Sequence, residues 1–382
     1  MKIKIEKSKL APALKNVSRA VSPKSPLPVL AGIEFTATED GKLVLTGTDL
    51  EIRICCTVQA EVKEAGSVVL PAATVISLID RLPLGEVIME GDNWGVATVK
   101  YGKSEAKLNG FPAEEFPEPP TTDAEVKFSI DGESLCDTIS RVVYAASDDM
   151  TKGSFCGVNF KVEDGNLEMA STDTYRLSLG NLALDGVAQE KTVVIPKKAM
   201  EEAVKLFRTP KAVAVEMGKN SITFASERIT LTSRIIDGAF PNYKAVLPDS
   251  FEAKVKVKPF DLIKSLERVA VLSGSTITLI INQGFIELLS ASEKGNAHEN
   301  IEASVTIARM KICFSAGYLI DAIKNAAIGD SDVWLGFTGP LKPAMVKSAV
   351  GGNVLSIVLP VRVREETQLE PVAGQEAQKK AS

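Results

Sequence analysis

The sequence is poor in the residues on which most enzyme chemistry depends. It has a single histidine, His298, which lies in a polar stretch, and five cysteines, none of which forms a C-x-x-C pair. Histidine-based metal sites and Ser-His-Asp triads therefore lack the residues that they need. Neither standard glycine-rich phosphate loop is present. The neighbours Cys55 and Cys56 would point to opposite faces of a strand, so we expect reduced, mostly buried thiols and no metal site.

Long apolar runs are also missing. The first ten residues, "MKIKIEKSKL", lack the apolar stretch of a signal peptide, and no later segment approaches a membrane span, so we expect a cytoplasmic protein. The apolar fraction of 45% and the charged fraction of 24% are typical of a soluble globular protein. A chain of 382 residues predicts two or three domains. The net charge of −5 disfavours a uniformly basic nucleic-acid binder but leaves a local basic surface open.

The chain contains an internal repeat. The segment "GIEFTATEDGKLVLTGTDLEIRI" begins at Gly32, and "GVNFKVEDGNLEMASTDTYRLSL" begins at Gly157. Both segments read Gly, apolar, polar, Phe, and later Asp-Gly, Leu and Thr-Asp, and their turn glycines, Gly41 and Gly165, are 124 residues apart. A fainter copy, "NQGFIELLSASE", places Gly284 a further 119 residues on. The sequence therefore predicts three copies of one domain.

Each copy predicts the same order of elements. An amphipathic helix comes first, with apolar residues at helical spacing: Leu10, Leu14, Val17 and Val21; Leu135, Ile139 and Val142; Leu262, Leu266 and Val269. An alternating hairpin follows, then a second helix ("ATVISLIDRL", "KKAMEEAVKLF" and "GYLIDAIKNA") and further strands. This order predicts an α+β fold in which two helices per copy pack on antiparallel sheets. We expect domains at 1–122, 126–248 and 252–363, and a disordered C-terminal tail at 364–382 that has too few apolar residues to fold.

Two Thr-Asp pairs, Thr48-Asp49 and Thr172-Asp173, occupy equivalent positions in the first two copies. Because both pairs follow a predicted strand, we expect the aspartates to close the strand end through hydrogen bonds to local backbone. The alternative is an enzyme that uses Asp49 or Asp173 as a general acid or base. That alternative lacks a second positioned group and a cofactor motif.

Every predicted helix carries at least one cation in its latter half. These cations are Lys15 and Arg19, Arg81, Arg141, Lys205 and Arg208, Lys264 and Arg268, and Lys324. One interpretation is that they complement the helix dipoles on a solvated face. The other is a basic surface that contacts the phosphates of a nucleic acid without reading its sequence.

The repeat and five motifs together resemble the bacterial sliding clamp family, the beta subunits of the replicative DNA polymerase. The motifs are "LPVL" at 27–30, "TGTDLEI" at 46–52, "STDTYRL" at 171–177, "FPNYKAVLP" at 240–248 and "VLPVRV" at 358–363. The resemblance covers residues 1 to about 363. It implies a DNA clamp fold in which two chains join head to tail into a ring of six like domains, with helices around duplex DNA. It also implies a protein without catalytic residues, metal or cofactor.

The resemblance implies a pocket between the second and third domains that binds short peptides of partner proteins. Its expected residues are Phe155, Thr172, Thr174, Tyr175, Arg176, Leu177, Pro241, Val246, Ile357, Val358, Leu359, Pro360, Val361 and Arg362. Apolar side chains would bury the peptide's anchors, and Arg176 and Arg362 would bind its polar ends. The sequence departs from the family at Ala245, often a basic residue, and at Thr174-Tyr175, often a small residue followed by histidine.

The resemblance further implies DNA contact by Lys24, in the loop "VSPKSP", and we add the helix cations to give the set Lys15, Arg19, Lys24, Arg81, Arg141, Lys205 and Lys264. It implies a dimer interface between Leu108 of one chain and Val271 and Leu272 of the other. The implied partners are duplex DNA, the catalytic subunit of the replicative polymerase, the clamp loader, and repair and translesion polymerases. A scaffold that does not bind nucleic acid is the third alternative.

Overall fold

The computed structural model describes residues 1–119, 123–273, 275–306 and 309–362, without the side chain of Ser273. The predicted tail at 364–382 lies outside the described residues. Within them are six α-helices: α1 Lys7–Val17, α2 Ala72–Arg81, α3 Gly132–Val143, α4 Lys197–Phe207, α5 Pro259–Ser273 and α6 Ala316–Ala326. None of these helices is long and apolar enough to cross a membrane.

The strands follow in three groups along the chain. The first group is β1 Lys2–Glu6, β2 Gly32–Thr38, β3 Lys42–Thr48, β4 Ile52–Gln59, β5 Glu61–Glu64, β6 Gly66–Pro71, β7 Glu86–Gly91, β8 Val96–Tyr101 and β9 Ser104–Asn109. The second is β10 Ala124–Ile130, β11 Gly157–Glu163, β12 Asn166–Thr172, β13 Arg176–Ala183, β14 Lys191–Pro196, β15 Val213–Gly218, β16 Ser221–Ala225 and β17 Ile229–Arg234. The third is β18 Ala253–Val257, β19 Thr276–Asn282, β20 Phe285–Ser292, β21 Gly295–Glu302, β22 Ser304–Val305, β23 Met310–Ser315, β24 Val333–Phe337, β25 Ala344–Ser348 and β26 Val354–Val358.

The chain forms two compact units, and the first comprises residues 1–173 and 179–241. Its strands form a five-stranded sheet in the order β5-β1-β7-β8-β9 and an eight-stranded sheet in the order β10-β15-β16-β17-β4-β3-β2-β6. The eight-stranded sheet joins the first two sequence copies, because β17 of the second pairs antiparallel with β4 of the first and places Leu231 opposite Ile54. Strands β14, β11 and β12 and the part of β13 from Leu179 onward lie side by side in a further sheet of this unit.

The helices of the first unit pack on these sheets through one apolar face each. Helix α3 shows why: Leu135, Ile139 and Val142 recur at helical spacing, are fully buried, and join a core cluster that includes Phe160 and Phe224. Burial of each such aliphatic side chain contributes about 1.5–3 kcal/mol. Asp131 caps the helix by accepting a hydrogen bond from the Ser134 backbone N–H at 2.8 Å.

The second unit comprises residues 174–178 and the described residues from Asn242 onward. In it the first residues of β13 lie beside β26, and the sheet continues through β25, β24 and β18 to β22. A four-stranded sheet has the order β21-β20-β19-β23. Helix α5 packs against β20 and β21, and α6 packs against β25 and β26, around a core that includes Leu266, Phe314 and Phe337.

The predicted hairpins are confirmed, with their turns at the expected residues. The β2–β3 and β11–β12 hairpins turn at Asp40-Gly41 and Asp164-Gly165, and Asp164 and Gly165 have φ angles of 48° and 70°. Two successive positive φ values are the geometry that suits a tight hairpin, and glycine adopts it without strain. The fainter third copy turns at Gly284, whose φ is 87°.

One helix boundary was predicted wrongly. Val21 was expected to continue the apolar face of the first helix, but α1 ends at Val17 and a single 3₁₀ turn, Ser18–Ala20, follows. Val21 itself has an extended backbone with ψ of 139°. The seven residues after Val21 contain three prolines, and the first of them, Pro23, disfavours helical geometry at Ser22 before it, so the helix cannot continue into this loop.

Candidate functional sites

The strand corner at Thr48-Asp49 is built from side-chain hydrogen bonds to backbone, as predicted. The Asp49 carboxylate accepts hydrogen bonds from the backbone N–H groups of Glu51 at 3.0 Å and Ile52 at 2.8 Å. The Thr48 hydroxyl donates to the Ile52 carbonyl at 2.8 Å, and the intervening Leu50 has a φ of 76°. The structural interpretation of Asp49 is therefore confirmed.

The equivalent corner of the second copy has the same backbone shape. Thr174, which aligns with Leu50, has a φ of 87°, and Asp173 is buried. The Lys152 ammonium donates to the Asp173 carbonyl at 3.3 Å. This left-handed residue lies in the turn between β12 and β13.

Residues 174–178 are attached to helix α6 by an aromatic stack and an ion pair. The rings of Tyr175 and Tyr318 are stacked, with centroids 6.2 Å apart and planes inclined by 26°. The Arg176 guanidinium lies 4.6 Å from the centroid of the Tyr318 ring, and its Nη1 is 2.6 Å from Oδ2 of Asp321. Arg176 was expected to bind a polar group of a ligand, but in the chain alone its charge is already paired with that of Asp321.

The same segment is attached to the last strand through backbone. The Leu359 N–H donates to the Tyr175 carbonyl at 2.9 Å, and the hydroxyls of Ser178 and Ser356 are 3.5 Å apart. The chain then runs along β23, where the Val361 N–H donates to the Cys313 carbonyl at 2.8 Å. The structure thus brings two of the predicted motifs, "STDTYRL" and "VLPVRV", side by side.

The predicted pocket residues of the second unit differ in what they expose. Tyr175 is 55% exposed and Val246 is 48% exposed. Leu177, at 3%, and Ile357 and Val358 are buried, and Val358 belongs to the core of the unit. The remaining residues keep part of their surface: Thr174 and Arg362 are exposed, and Leu359, Pro360 and Val361 are partly buried. Apolar surface is therefore exposed by Tyr175 and Val246 and, in part, by Leu359, Pro360 and Val361, whereas Leu177, Ile357 and Val358 expose almost none.

The other three predicted pocket residues belong to the first unit. Phe155 and Pro241 are partly buried, and Thr172 is buried at the end of β12. Ser154, beside Phe155, donates to the Ala239 carbonyl at 3.2 Å, which fixes the 3₁₀ segment Met150–Cys156 against the chain that leads to Pro241. Phe155 and Pro241 are thereby held on neighbouring segments.

Tyr318 and Asp321 were not predicted as site residues. They lie about 145 residues beyond Arg176 in the chain and occupy positions three apart on α6. Residues three apart on a helix share a face. The sequence does show an aromatic residue and an acid on one face of this helix. It does not show that residues 174–178 lie beside that face.

Four of the seven predicted DNA-contacting cations form ion pairs with carboxylates. Glu202 accepts both Arg19, at 3.2 Å, and Lys205, at 2.7 Å. Asp137 pairs with Arg141 at 3.1 Å, and Glu267 pairs with Lys264 at 2.9 Å. The other three, Lys15, Lys24 and Arg81, are exposed and form no ion pair with a carboxylate in the described part of the chain. The helix cations are therefore mixed with acids rather than forming a purely basic face.

The predicted dimer-interface residues also differ in exposure. Leu108 lies on β9, the last strand of the five-stranded sheet, but its side chain is 8% exposed and belongs to the core of its own unit. Val271, near the end of α5, is 73% exposed, and Leu272 is partly buried. Of the three, Val271 offers the largest apolar surface, while Leu108 supports an edge strand from its inner face.

Burial governs the protonation of two of the thiols. All five cysteines are free, and burial raises the pKa of Cys56 and of Cys136 to about 11, so both thiols stay protonated at neutral pH. No group of three or more His, Cys, Asp or Glu side chains within the described ranges is arranged to hold a metal ion.

Comparisons with known proteins agree with this architecture. Three family models match in order: the N-terminal domain of the DNA polymerase III beta subunit at residues 1–120, its central domain at 129–242 and its C-terminal domain at 244–362. The beta sliding clamps of Staphylococcus epidermidis and Staphylococcus aureus are 29% and 28% identical over 377 residues, which are 95% of this chain and 99% of theirs.

Solved clamp structures have the same fold. The DNA polymerase sliding clamp of Bacillus subtilis superposes with a TM-score of 0.90 at 28% identity, and the beta subunit of Streptococcus pyogenes with a TM-score of 0.91 at 25% identity. Each comparison covers 95% of this chain and 100% of the other. Three similar domains of helices on antiparallel sheets define the DNA clamp class of proteins.

The chain belongs to the DNA polymerase III beta subunit family, the bacterial sliding clamps. It is a DNA sliding clamp, and the members of its family are non-catalytic processivity factors. Membership implies DNA and a DNA polymerase as partners. The enzyme alternative built on Asp49 or Asp173 is thereby set aside, and so is the scaffold without nucleic acid.

Proposed function

We propose that two copies of this chain close head to tail into a ring around duplex DNA and tether the replicative polymerase to it. The observation that carries the proposal is the match of all three family domains, in order, from residue 1 to residue 362. A closed ring holds DNA by topology, so it needs only weak contacts with phosphates. The net charge of −5 is compatible with such contacts, because a strongly basic surface would bind DNA too tightly to slide.

Two sheet edges support the closure of the ring. Strand β9 ends the five-stranded sheet of the first unit, and β21 ends the four-stranded sheet of the second. The strand at the opposite edge of the four-stranded sheet, β23, already accepts a hydrogen bond from the Val361 N–H through the Cys313 carbonyl. A terminal strand presents backbone groups that can pair with another chain. We assign the interface to β9, with Leu108 behind it, of one copy and to β21 with Val271 and Leu272 of the other.

We further propose that the predicted pocket residues bind short peptides of the polymerase catalytic subunit, the clamp loader, and repair and translesion polymerases. In the second unit, the half-exposed Tyr175 and Val246 and the partly buried Leu359 provide apolar surface for peptide anchors. Arg362 is exposed and available to a carboxylate of the peptide. We also assign Phe155, Thr172 and Pro241 to the peptide-binding residues. We place the protein in the cytoplasm, with domains at 1–122, 126–248 and 252–363.

Primer extension tests the proposal. The cognate polymerase and clamp loader copy a singly primed circular template with and without this chain, and excess unprimed DNA limits each polymerase to one binding event. We expect products to lengthen from short segments to the full circle only when the chain, the loader and ATP are all present. Product length independent of the chain would contradict the proposed function.

A further inference from the structure

Two glutamates on the helices, Glu202 and Glu267, each pair with two cations. Glu202 lies on α4 and uses its two carboxylate oxygens for two cations, Oε2 for Arg19 at 3.2 Å and Oε1 for Lys205 at 2.7 Å. Arg19 belongs to the first sequence copy, in the 3₁₀ turn after α1, whereas Lys205 lies on α4 itself. The Glu202 side chain is only 12% exposed, so it is fixed between both cations.

The second unit repeats this arrangement with different residues. Glu267, on α5, uses Oε2 for Lys264 at 2.9 Å and Oε1 for Lys324, on α6, at 3.2 Å. Hydrogen bonds from these two lysines lower the pKa of the Glu267 carboxyl below its usual value, so it is ionised at neutral pH. In each unit one carboxylate thus joins a cation of its own helix to a cation of a neighbouring segment.

Three of these four ion pairs stabilise the fold only slightly. An i, i+3 ion pair such as Glu202–Lys205 or Lys264–Glu267 contributes about 0.2–0.5 kcal/mol to a helix. The exposed Glu267–Lys324 pair also contributes little. A contact between a cation and a DNA phosphate has a larger effect on DNA affinity. Each neutralised phosphate steepens the fall of log affinity with log salt concentration by about 0.9. One such contact therefore makes binding at about 0.1 M salt about eightfold tighter, relative to binding at about 1 M salt.

We propose that Glu202 and Glu267 attenuate the affinity of this clamp for DNA phosphates, each by holding two cations that would otherwise bind them. This inference rests on the proposed function, since it concerns how the ring stays mobile on the duplex. In each cluster two cations and one carboxylate leave a net charge of +1. A phosphate therefore competes with a carboxylate already 2.7–3.2 Å from the same ammonium or guanidinium groups.

The test compares Glu202→Gln and Glu267→Gln with a matched control in the full-length protein. Glutamine keeps the size and a hydrogen-bonding oxygen of glutamate but removes the charge. The control, Glu216→Gln, removes an equal charge from a glutamate that pairs with Lys127 at 2.8 Å on neighbouring sheet strands away from the helices. Fluorescence anisotropy with a short linear duplex, measured over a series of salt concentrations, gives the affinity and the salt slope.

We expect each helix variant to bind the duplex about eightfold more tightly at about 0.1 M salt, with a slope steeper by about 0.9, while the control changes neither. Helix variants that bind like Glu216→Gln would overturn the inference. Because the two variants lie in different units, a folding defect in one leaves the other decisive. The anisotropy measurement needs neither the clamp loader nor the polymerase, so its outcome is separate from that of primer extension. Failure of the wild type in primer extension would contradict the proposed function itself.

Discussion

Leu359→Ala provides a specific test of the peptide site. Leu359 is partly buried, and its backbone N–H donates to the carbonyl of Tyr175 at 2.9 Å, so its backbone lies beside that of Tyr175. The substitution removes three carbon atoms, whose complete burial by a peptide would contribute about 2.4 kcal/mol at about 0.8 kcal/mol each. Because the chain already covers part of the side chain, we expect a loss of about 1–2 kcal/mol. That loss corresponds to an affinity about five- to thirtyfold weaker.

Val255→Ala is the control, because Val255 lies on β18, three strands away from β26 in the same sheet, and is not among the predicted pocket residues. Val255 is fully buried in the core of the second unit. Its truncation should lower the free energy of unfolding by about 2 kcal/mol, from the lost burial and the cavity, and leave peptide affinity unchanged. The assay is calorimetric titration with a synthetic clamp-binding peptide of the cognate polymerase, alongside thermal unfolding. Wild-type peptide affinity in Leu359→Ala, or a peptide defect only in Val255→Ala, would refute the assignment.

Three further predictions follow from the other surfaces. Leu272→Ala should weaken the dimer, which sedimentation equilibrium would show as a higher dissociation constant; a wild type that is monomeric at micromolar concentration would contradict the ring. Lys24→Ala should lower the salt slope of duplex binding by about 0.9, since its exposed ammonium is expected to contact one phosphate, and an unchanged slope would exclude Lys24. Hydrogen bonds from Lys100 and Lys2 lower the pKa of Glu90, so this carboxylate stabilises the fold above the ordinary carboxyl pKa, and that stability is lost as the pH falls through the lowered value. Glu90→Gln should therefore flatten the acid side of a plot of Tm against pH, and an unchanged plot would contradict this reasoning.

Local patterns predicted the repeating elements of the fold well. The hairpin turns at Gly41 and Gly165 and the corner at Asp49 depend on residues within a few positions of one another. Such interactions are visible in the sequence, because turn residues and apolar periodicity act over the same short distances. The end of α1 was missed because the periodic apolar pattern continues to Val21, while the prolines that follow it stop the helix.

The details of the sites depend on partners that are distant in sequence. Nothing near Arg176 in the chain indicates that Asp321 pairs with it and that Tyr318 lies under its guanidinium. The same holds for Glu202, which meets Arg19 across 183 residues. Charge and ring contacts of this kind follow from the packing of whole elements, so the sequence indicates candidate surfaces but not the acids that pair with their cations.

The central claim is that this protein holds DNA by encircling it, and DNA topology tests that claim most directly. The labelled protein is loaded onto nicked circular DNA by its clamp loader, the complex is isolated by gel filtration, and half of it is cut once with a restriction enzyme. We predict that the protein stays with the circle and is lost from the linear DNA at the same salt concentration, because a ring slides off a free end. Equal retention on circular and linear DNA would contradict the account.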